Sequence, residues 1–174
     1  MIRYSGGESE RRLGAALAGT PRHSYVLSTK VGRLVDPDGA VRFDFSRDGV
    51  RRSLDESLRR LRLNRVDVVL VHDPNDHYDV AVREAFPALA DLRDQGVIGA
   101  IGAGMNQWPM LAEFAHHVDI DCFLKLAYEP ILGQPKVFNG RAFARGKGLL
   151  LSAMGRYTAF KTAVAGPVAS GPVT

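Results

Sequence analysis

Short runs of β-branched and aliphatic residues alternate along this chain with longer stretches whose apolar positions recur at helical spacing. The runs at Tyr25–Thr29, Asp67–Val71, Ile98–Ala103, Asp121–Leu126 and Gly148–Ser152 predict strands. Between them the periodicity predicts helices over Ser9–Ala18, Arg47–Leu61, Val80–Gln95, Pro109–His117 and Pro135–Arg145. Ser9 and Ser46 are candidate N-caps, and Gly96 follows Gln95 as a helix stop. Val68-Val69-Leu70-Val71 is apolar throughout rather than alternating, so both faces of that strand should be buried. Repeated strand–helix units with such strands imply a parallel sheet covered by helices. Two architectures stay open on this pattern, the doubly wound open sheet and the closed (β/α)8 barrel. A full barrel takes about 250 residues, or roughly 31 per unit. With 174 residues, the chain holds about five to six units, as an open sheet or as a barrel with pieces missing.

Composition narrows the class. Hydrophobic residues make up 45% and charged residues 24%, ordinary for a globular chain and unlike a disordered, collagenous or coiled-coil one. Ala163–Thr174 consists of small residues with Gly166, Pro167, Gly171 and Pro172 and has no period, so residues 161–174 are expected to form a disordered tail behind one domain over 1–160. The single cysteine excludes an internal disulfide and a four-cysteine zinc site. No apolar stretch reaches the roughly 20 residues that cross a bilayer, and Met1-Ile2-Arg3-Tyr4-Ser5-Gly6 has no signal-peptide core. A cytoplasmic protein without a membrane partner is expected. The formal charge of +4 and pI of about 9.5 raise nucleic acid as a partner. The arginines, however, are interleaved with acids. Asp48/Arg52, Asp55/Arg59 and Glu56/Arg60 stand four apart with the acid first, the pattern of a solvated helix face, and nucleic acid is set aside.

The residues that follow the strands carry the chemistry. Tyr25-Val26-Leu27-Ser28-Thr29 leads to Lys30; Val68-Val69-Leu70-Val71 leads to His72, Asp73 and Pro74; Ile98–Ala103 leads through Gly104 and Met105 to Asn106. A lysine, a histidine and an amide thus fall at C-terminal strand ends, the edge where α/β active sites are built. Taken singly, Lys30 is equally a loop lysine and His72 a hydrogen-bonded core histidine. The ligand-rich stretch His72-Asp73-Pro74-Asn75-Asp76-His77 raises a metal-dependent barrel hydrolase. That class calls for a His-x-His pair on an early strand, which the sequence lacks, so no metal is assigned. Gly102-Ala103-Gly104 lacks the third glycine of a dinucleotide fingerprint, Gln107 standing in its place. Cys122 reads as a buried strand thiol, and His116-His117 as a helix-end pair suited to the dipole.

Ser28-Thr29-Lys30, Leu70-Val71-His72-Asp73-Pro74 and Ile101-Gly102-Ala103-Gly104-Met105-Asn106 resemble the aldo-keto reductases, as does Tyr4-Ser5-Gly6-Gly7-Glu8-Ser9-Glu10-Arg11-Arg12-Leu13-Gly14. The resemblance runs from about Tyr4 to Leu124, in the family's order and spacing. Tyr25–Arg33 with Asp44–Leu61 is closest to the branch of D-threo-aldose, L-fucose and pyridoxal dehydrogenases. It implies a (β/α)8 TIM-type barrel, here incomplete, and hydride transfer between NAD or NADP and an aldehyde or sugar carbonyl, or the matching alcohol. By position Tyr4 would exchange the proton with the substrate oxygen, Lys30 would lower the tyrosine's pKa, and His72 would orient that oxygen. Asn106 would hold the nicotinamide carboxamide, with Met105 where many relatives have serine. A phenol titrates near 10, so acid–base work near neutrality needs an adjacent cation, and an imidazole N–H can stabilise charge developing on the carbonyl oxygen.

The sequence also departs from the family. Only Met1-Ile2-Arg3 precede Tyr4, so no counterpart is expected for the aspartate that the family places upstream of the tyrosine, against the lysine. Beyond Leu124 the match fades, and Gly155-Arg156-Tyr157-Thr158 carries a segment the branch has earlier. A barrel truncated at both ends is expected, with an open edge that invites self-association. The competing reading is a non-catalytic barrel fragment that acts as an interaction module.

Overall fold

The protein is described by a computed structural model that covers residues 7–36, 39–125 and 149–152. The expected helix over Pro135–Arg145, the tail at 161–174 and Tyr4 lie outside the described residues. Five strands form one parallel sheet: β1 (Ser28–Val31), β4 (Val66–His72), β5 (Ile98–Gly104), β6 (Cys122–Lys125) and β7 (Leu149–Ser152). A separate antiparallel hairpin, β2 (Arg33–Val35) with β3 (Val41–Phe43), follows β1. The helices are α1 (Glu8–Ala16), α2 (Arg47–Leu61), α3 (Tyr78–Val80), which runs through a π-helical turn at Ala81–Ala85 into α4 (Phe86–Asp94), and α5 (Trp108–His117).

The spatial order of the five strands is their order along the chain. A doubly wound sheet reverses direction at a switch point; a barrel does not. This order therefore decides between the two architectures in favour of consecutive barrel units. Burial agrees. Strand residues alternate between two apolar clusters, one on each face. Val31, Val69, Val71, Ile101, Ala103 and Phe123 face the helices and join Val50, Leu54, Leu89 and Phe114 in the larger cluster. Val68, Leu70, Ala100 and Cys122, with Leu124 against them, form a smaller cluster on the opposite face, the interior of the barrel wall.

The helices start and stop where local chemistry tells them to. Ser46 caps α2 by accepting a hydrogen bond from the Gly49 N–H at 3.1 Å. Asp44 reinforces the cap, its carboxylate accepting from the Ser46 hydroxyl at 2.5 Å and the Ser46 N–H at 3.2 Å. Arg52 reaches back to this carboxylate at 2.8 Å instead of pairing with Asp48. Glu56–Arg60 does form, at 3.3 Å. The same Arg60 also donates to Glu10 of α1 at 2.6 Å, while Glu10 accepts from Thr29 of β1 at 2.5 Å. A carboxylate held between a guanidinium and a hydroxyl thus ties α1, α2 and β1 together. α1 and α2 approach so closely at Gly14 that a Cβ there would lie 2.6 Å from the Leu61 carbonyl oxygen. Gly7, not Ser9, stands at the N-cap of α1. Gly96 ends α4 with φ of 73°, as the sequence predicts. The π turn precedes Pro87, whose missing N–H disturbs the α ladder there.

Candidate functional site

β1 and β4 are in parallel register, Lys30 opposite Leu70, and β4 and β5 likewise, His72 opposite Gly104. Alternation along each strand puts Lys30, Leu70, His72, Gly104 and Leu124 on the interior face. Lys30 and His72 occur 42 residues apart in the chain and meet here at the C-terminal edge of the sheet. Lys30 lies across the end of β5 at Gly104. A Cβ at this position would sit 3.4 Å from Lys30 Cε, 3.8 Å from Leu70 Cβ and 3.9 Å from Leu124 Cβ, all ordinary contact distances. The sequence predicts Lys30 as the residue that follows a strand; it stands inside β1, on the inward side.

His72 is buried. Burial, then the charges of Lys30 and Arg33, push its pKa from 6.5 down to about 3. At neutral pH the imidazole is neutral and offers one N–H and one lone pair. A neutral donor at this edge suits a substrate oxygen that gains negative charge. The depressed pKa also links folding to pH. The unfolded chain takes a proton here as pH falls through 6.5, the folded chain only near 3, so the stability gained from a neutral His72 is present above 6.5 and lost below it. Between pH 6.5 and 5 a loss of about 2 kcal/mol is expected. Urea unfolding of the parent and of His72→Gln at the two pH values measures it, the variant showing the smaller drop; equal drops would refute it.

Beyond β5, Met105 is buried and its N–H donates to the Leu124 carbonyl at 3.0 Å, which fixes the loop over β6. Asn106, the next residue, is exposed at the lip. The exposed Asn106 amide at this lip offers a donor and an acceptor, the groups with which a carboxamide could pair. Arg33, whose charge is felt at His72, has a buried Nε–H with no hydrogen-bond partner among the described residues.

Two features here escape sequence pattern. Asp73 follows His72 with φ of 48°, in the left-handed region, and its N–H donates to the Gly104 carbonyl at 2.9 Å. Aspartate is among the few residues that tolerate this conformation, which is the only sequence signal for it. The hairpin β2–β3 is the other. Phe43 stacks on Phe45 at 5.8 Å between ring centroids, and both meet His77 of the turn after β4, at 5.5 and 5.2 Å. The loops that follow β1 and β4 are thereby joined above the sheet edge. Pro37-Asp38-Gly39 between the apolar pairs Leu34-Val35 and Val41–Phe43 is the turn signature that could have revealed the hairpin.

Among the described residues no group of three or more His, Cys, Asp or Glu is placed to hold a metal ion, and no helix is long and apolar enough to cross a membrane. Cys122 is buried, and desolvation followed by the charge of Asp121 pushes its thiol up to about 12, which leaves it protonated.

A model of the aldo/keto reductase family matches residues 3–137. The D-threo-aldose 1-dehydrogenase of a Pseudomonas species is 37% identical over 76% of this chain and 46% of its own length. The pyridoxal 4-dehydrogenase of Microbacterium luteolum is 31% identical over 86% and 54%. This chain spans about half the length of the curated relatives it matches. A solved structure described as a candidate aldo-keto reductase from Pseudomonas aeruginosa aligns over 83% of this chain and 56% of that one, with a TM-score of 0.65 and 32% identity. The holo form of an aldo-keto reductase from Bacillus halodurans aligns over 86% and 49%, with a TM-score of 0.70 and 23% identity, a likeness of fold alone. Both neighbours are (β/α)8 barrels.

Proposed function

The chain belongs to the aldo/keto reductase family, and on that premise we propose that it acts as an NAD- or NADP-dependent oxidoreductase on aldehydes and aldose-type sugars or the corresponding alcohols. The observation that carries this reading is the pairing of a lysine with a buried, neutral histidine at one sheet edge. The likeness to an aldose dehydrogenase supports the substrate class. When bound, the nicotinamide supplies the hydride acceptor or donor. With the nicotinamide bound, Tyr4 as phenolate would take the hydroxyl proton of the alcohol in the oxidative direction and, as phenol, would return it to the carbonyl oxygen in reduction. In this reading His72 donates its N–H to the reacting oxygen, Lys30 favours the phenolate form of Tyr4, and Asn106 with Met105 borders the carboxamide.

The test is a titration of the purified full chain with NADH and with NADPH, followed by tryptophan fluorescence, since Trp108 is the sole tryptophan and stands two residues from Asn106. A saturable change with at least one cofactor, and aldose-dependent growth of reduced nicotinamide absorbance from its oxidised form, is expected. No saturable change with either cofactor would overturn the reading in favour of a non-catalytic barrel fragment.

A further inference from the structure

Asp73 has a place at this edge that no role above uses. Its left-handed backbone turns the chain back on itself directly after β4, and its N–H is fastened to the end of β5. The side chain consequently returns to the catalytic edge, its Oδ2 lying 3.4 Å from His72 Nε2. That distance is too long for a strong hydrogen bond, and because the imidazole is neutral at pH 7 the two do not form an ion pair. About two fifths of the Asp73 side chain is exposed, against a tenth of His72. A carboxylate oxygen thus lies beside a ring nitrogen of His72 and stays open to solvent on its other side. A non-glycine residue in the left-handed region is uncommon, and here it fixes where the Asp73 side chain leaves the strand end.

We infer that Asp73 is a specificity-determining residue that accepts a hydrogen bond from a hydroxyl on the carbon next to the reacting one, and so selects α-hydroxy carbonyl substrates such as aldoses. The inference rests on the oxidoreductase reading given above. A hydroxyl one carbon from the reacting oxygen lies about 2.5–3 Å from that oxygen in a polyol, comparable with the 3.4 Å between the imidazole and the carboxylate. One hydroxyl can then lie against His72 while its neighbour lies against Asp73. A carboxylate is an acceptor only; it attracts a hydroxyl hydrogen and repels the lone pairs of an α-keto oxygen. A substrate lacking that hydroxyl would leave the carboxylate desolvated without a partner, which is how sites that bind an OH reject its absence. The exposed face of Phe43 and the ring of His77, joined on the turn that Asp73 begins, add apolar surface of the kind that sugar C–H faces cover.

The experiment compares kcat/KM of the full chain for D-ribose and 2-deoxy-D-ribose, with NAD and with NADP, in the parent, Asp73→Gly and Asp73→Asn. Glycine accepts the left-handed backbone, so the first variant removes the carboxylate without disturbing the turn; asparagine keeps a neutral acceptor. Any effect passed through His72 falls on both sugars alike and cancels in their ratio. The parent is expected to prefer ribose by roughly tenfold or more. That preference should vanish in Asp73→Gly and shrink in Asp73→Asn. A preference unchanged in Asp73→Gly, or absent from the parent, overturns the inference while leaving the oxidoreductase reading intact. If neither sugar turns over, saturation-transfer NMR of ribose on the protein decides separately: contact at the C2 hydrogen lost in Asp73→Gly upholds the subsite, and no contact in the parent refutes it.

Discussion

Lys30→Met lowers kcat for aldose oxidation by roughly 10²–10⁴-fold, the range that a positioned proton-transfer partner contributes. Methionine keeps the length and apolar stem of lysine, so the packing of the side chain over Gly104 survives. What disappears is the positive charge, and with it the field that would favour a phenolate beside it. A second measurement reads the same change without turnover. Lys30 is one of two cations that hold His72 down, after burial as the main cause. In Lys30→Met the His72 titration, followed by NMR, moves upward but stays below its ordinary value, because burial and Arg33 remain. Loss of activity with an unmoved His72 would mean that Lys30 acts elsewhere than at this edge. Full activity with a shifted His72 would remove the lysine from the chemistry.

Phe114→Ala destabilises the fold by about 3–5 kcal/mol, the usual cost of deleting a large buried ring. Phe114 is fully buried, with Tyr78 at 4.8 Å and Phe86 at 5.2 Å between ring centroids, so α5 is held to the α3–α4 segment by three rings. Against total stabilities of about 5–15 kcal/mol the variant approaches the limit of folding. Urea midpoints measure the loss. The cluster lies on the helix side of the sheet, whereas Lys30 and His72 face the interior. Activity per folded molecule at low temperature should therefore stay near that of the parent. A loss under about 1 kcal/mol would show that the site collapses around the missing ring.

How much of this was legible in the sequence depended on how local the cause was. The apolar run Val68–Val71 and the Ser46 cap are decided by neighbours in the chain, and β4 and α2 stand where the pattern puts them. Lys30 and His72 could be named because apolar strands end near them, but their meeting depends on the parallel register of β1, β4 and β5, which no local pattern encodes. The Glu10 knot joins residues from three separate elements, and no periodicity encodes it. Arg52 illustrates the opposite error: a good helical spacing with Asp48 lost to Asp44, whose carboxylate the cap had already fixed nearby. The hairpin β2–β3 escaped because its strands are three residues long, too short for alternation to show. The inward turn of Asp73 depends on a single backbone angle that several residue types could have refused.

The sheet adds its strands in the order of translation, and each ladder closes on a stretch of chain only a few tens of residues away: Ser28 with Val68, Val66 with Ile98, Gly102 with Cys122. Among the described residues, these parallel ladders join neighbouring units of the chain. Short-range closure of this kind is entropically cheap and quick. On the ribosome, such a wall can be laid down one strand at a time, each finished unit serving as the template on which the next emerging one condenses.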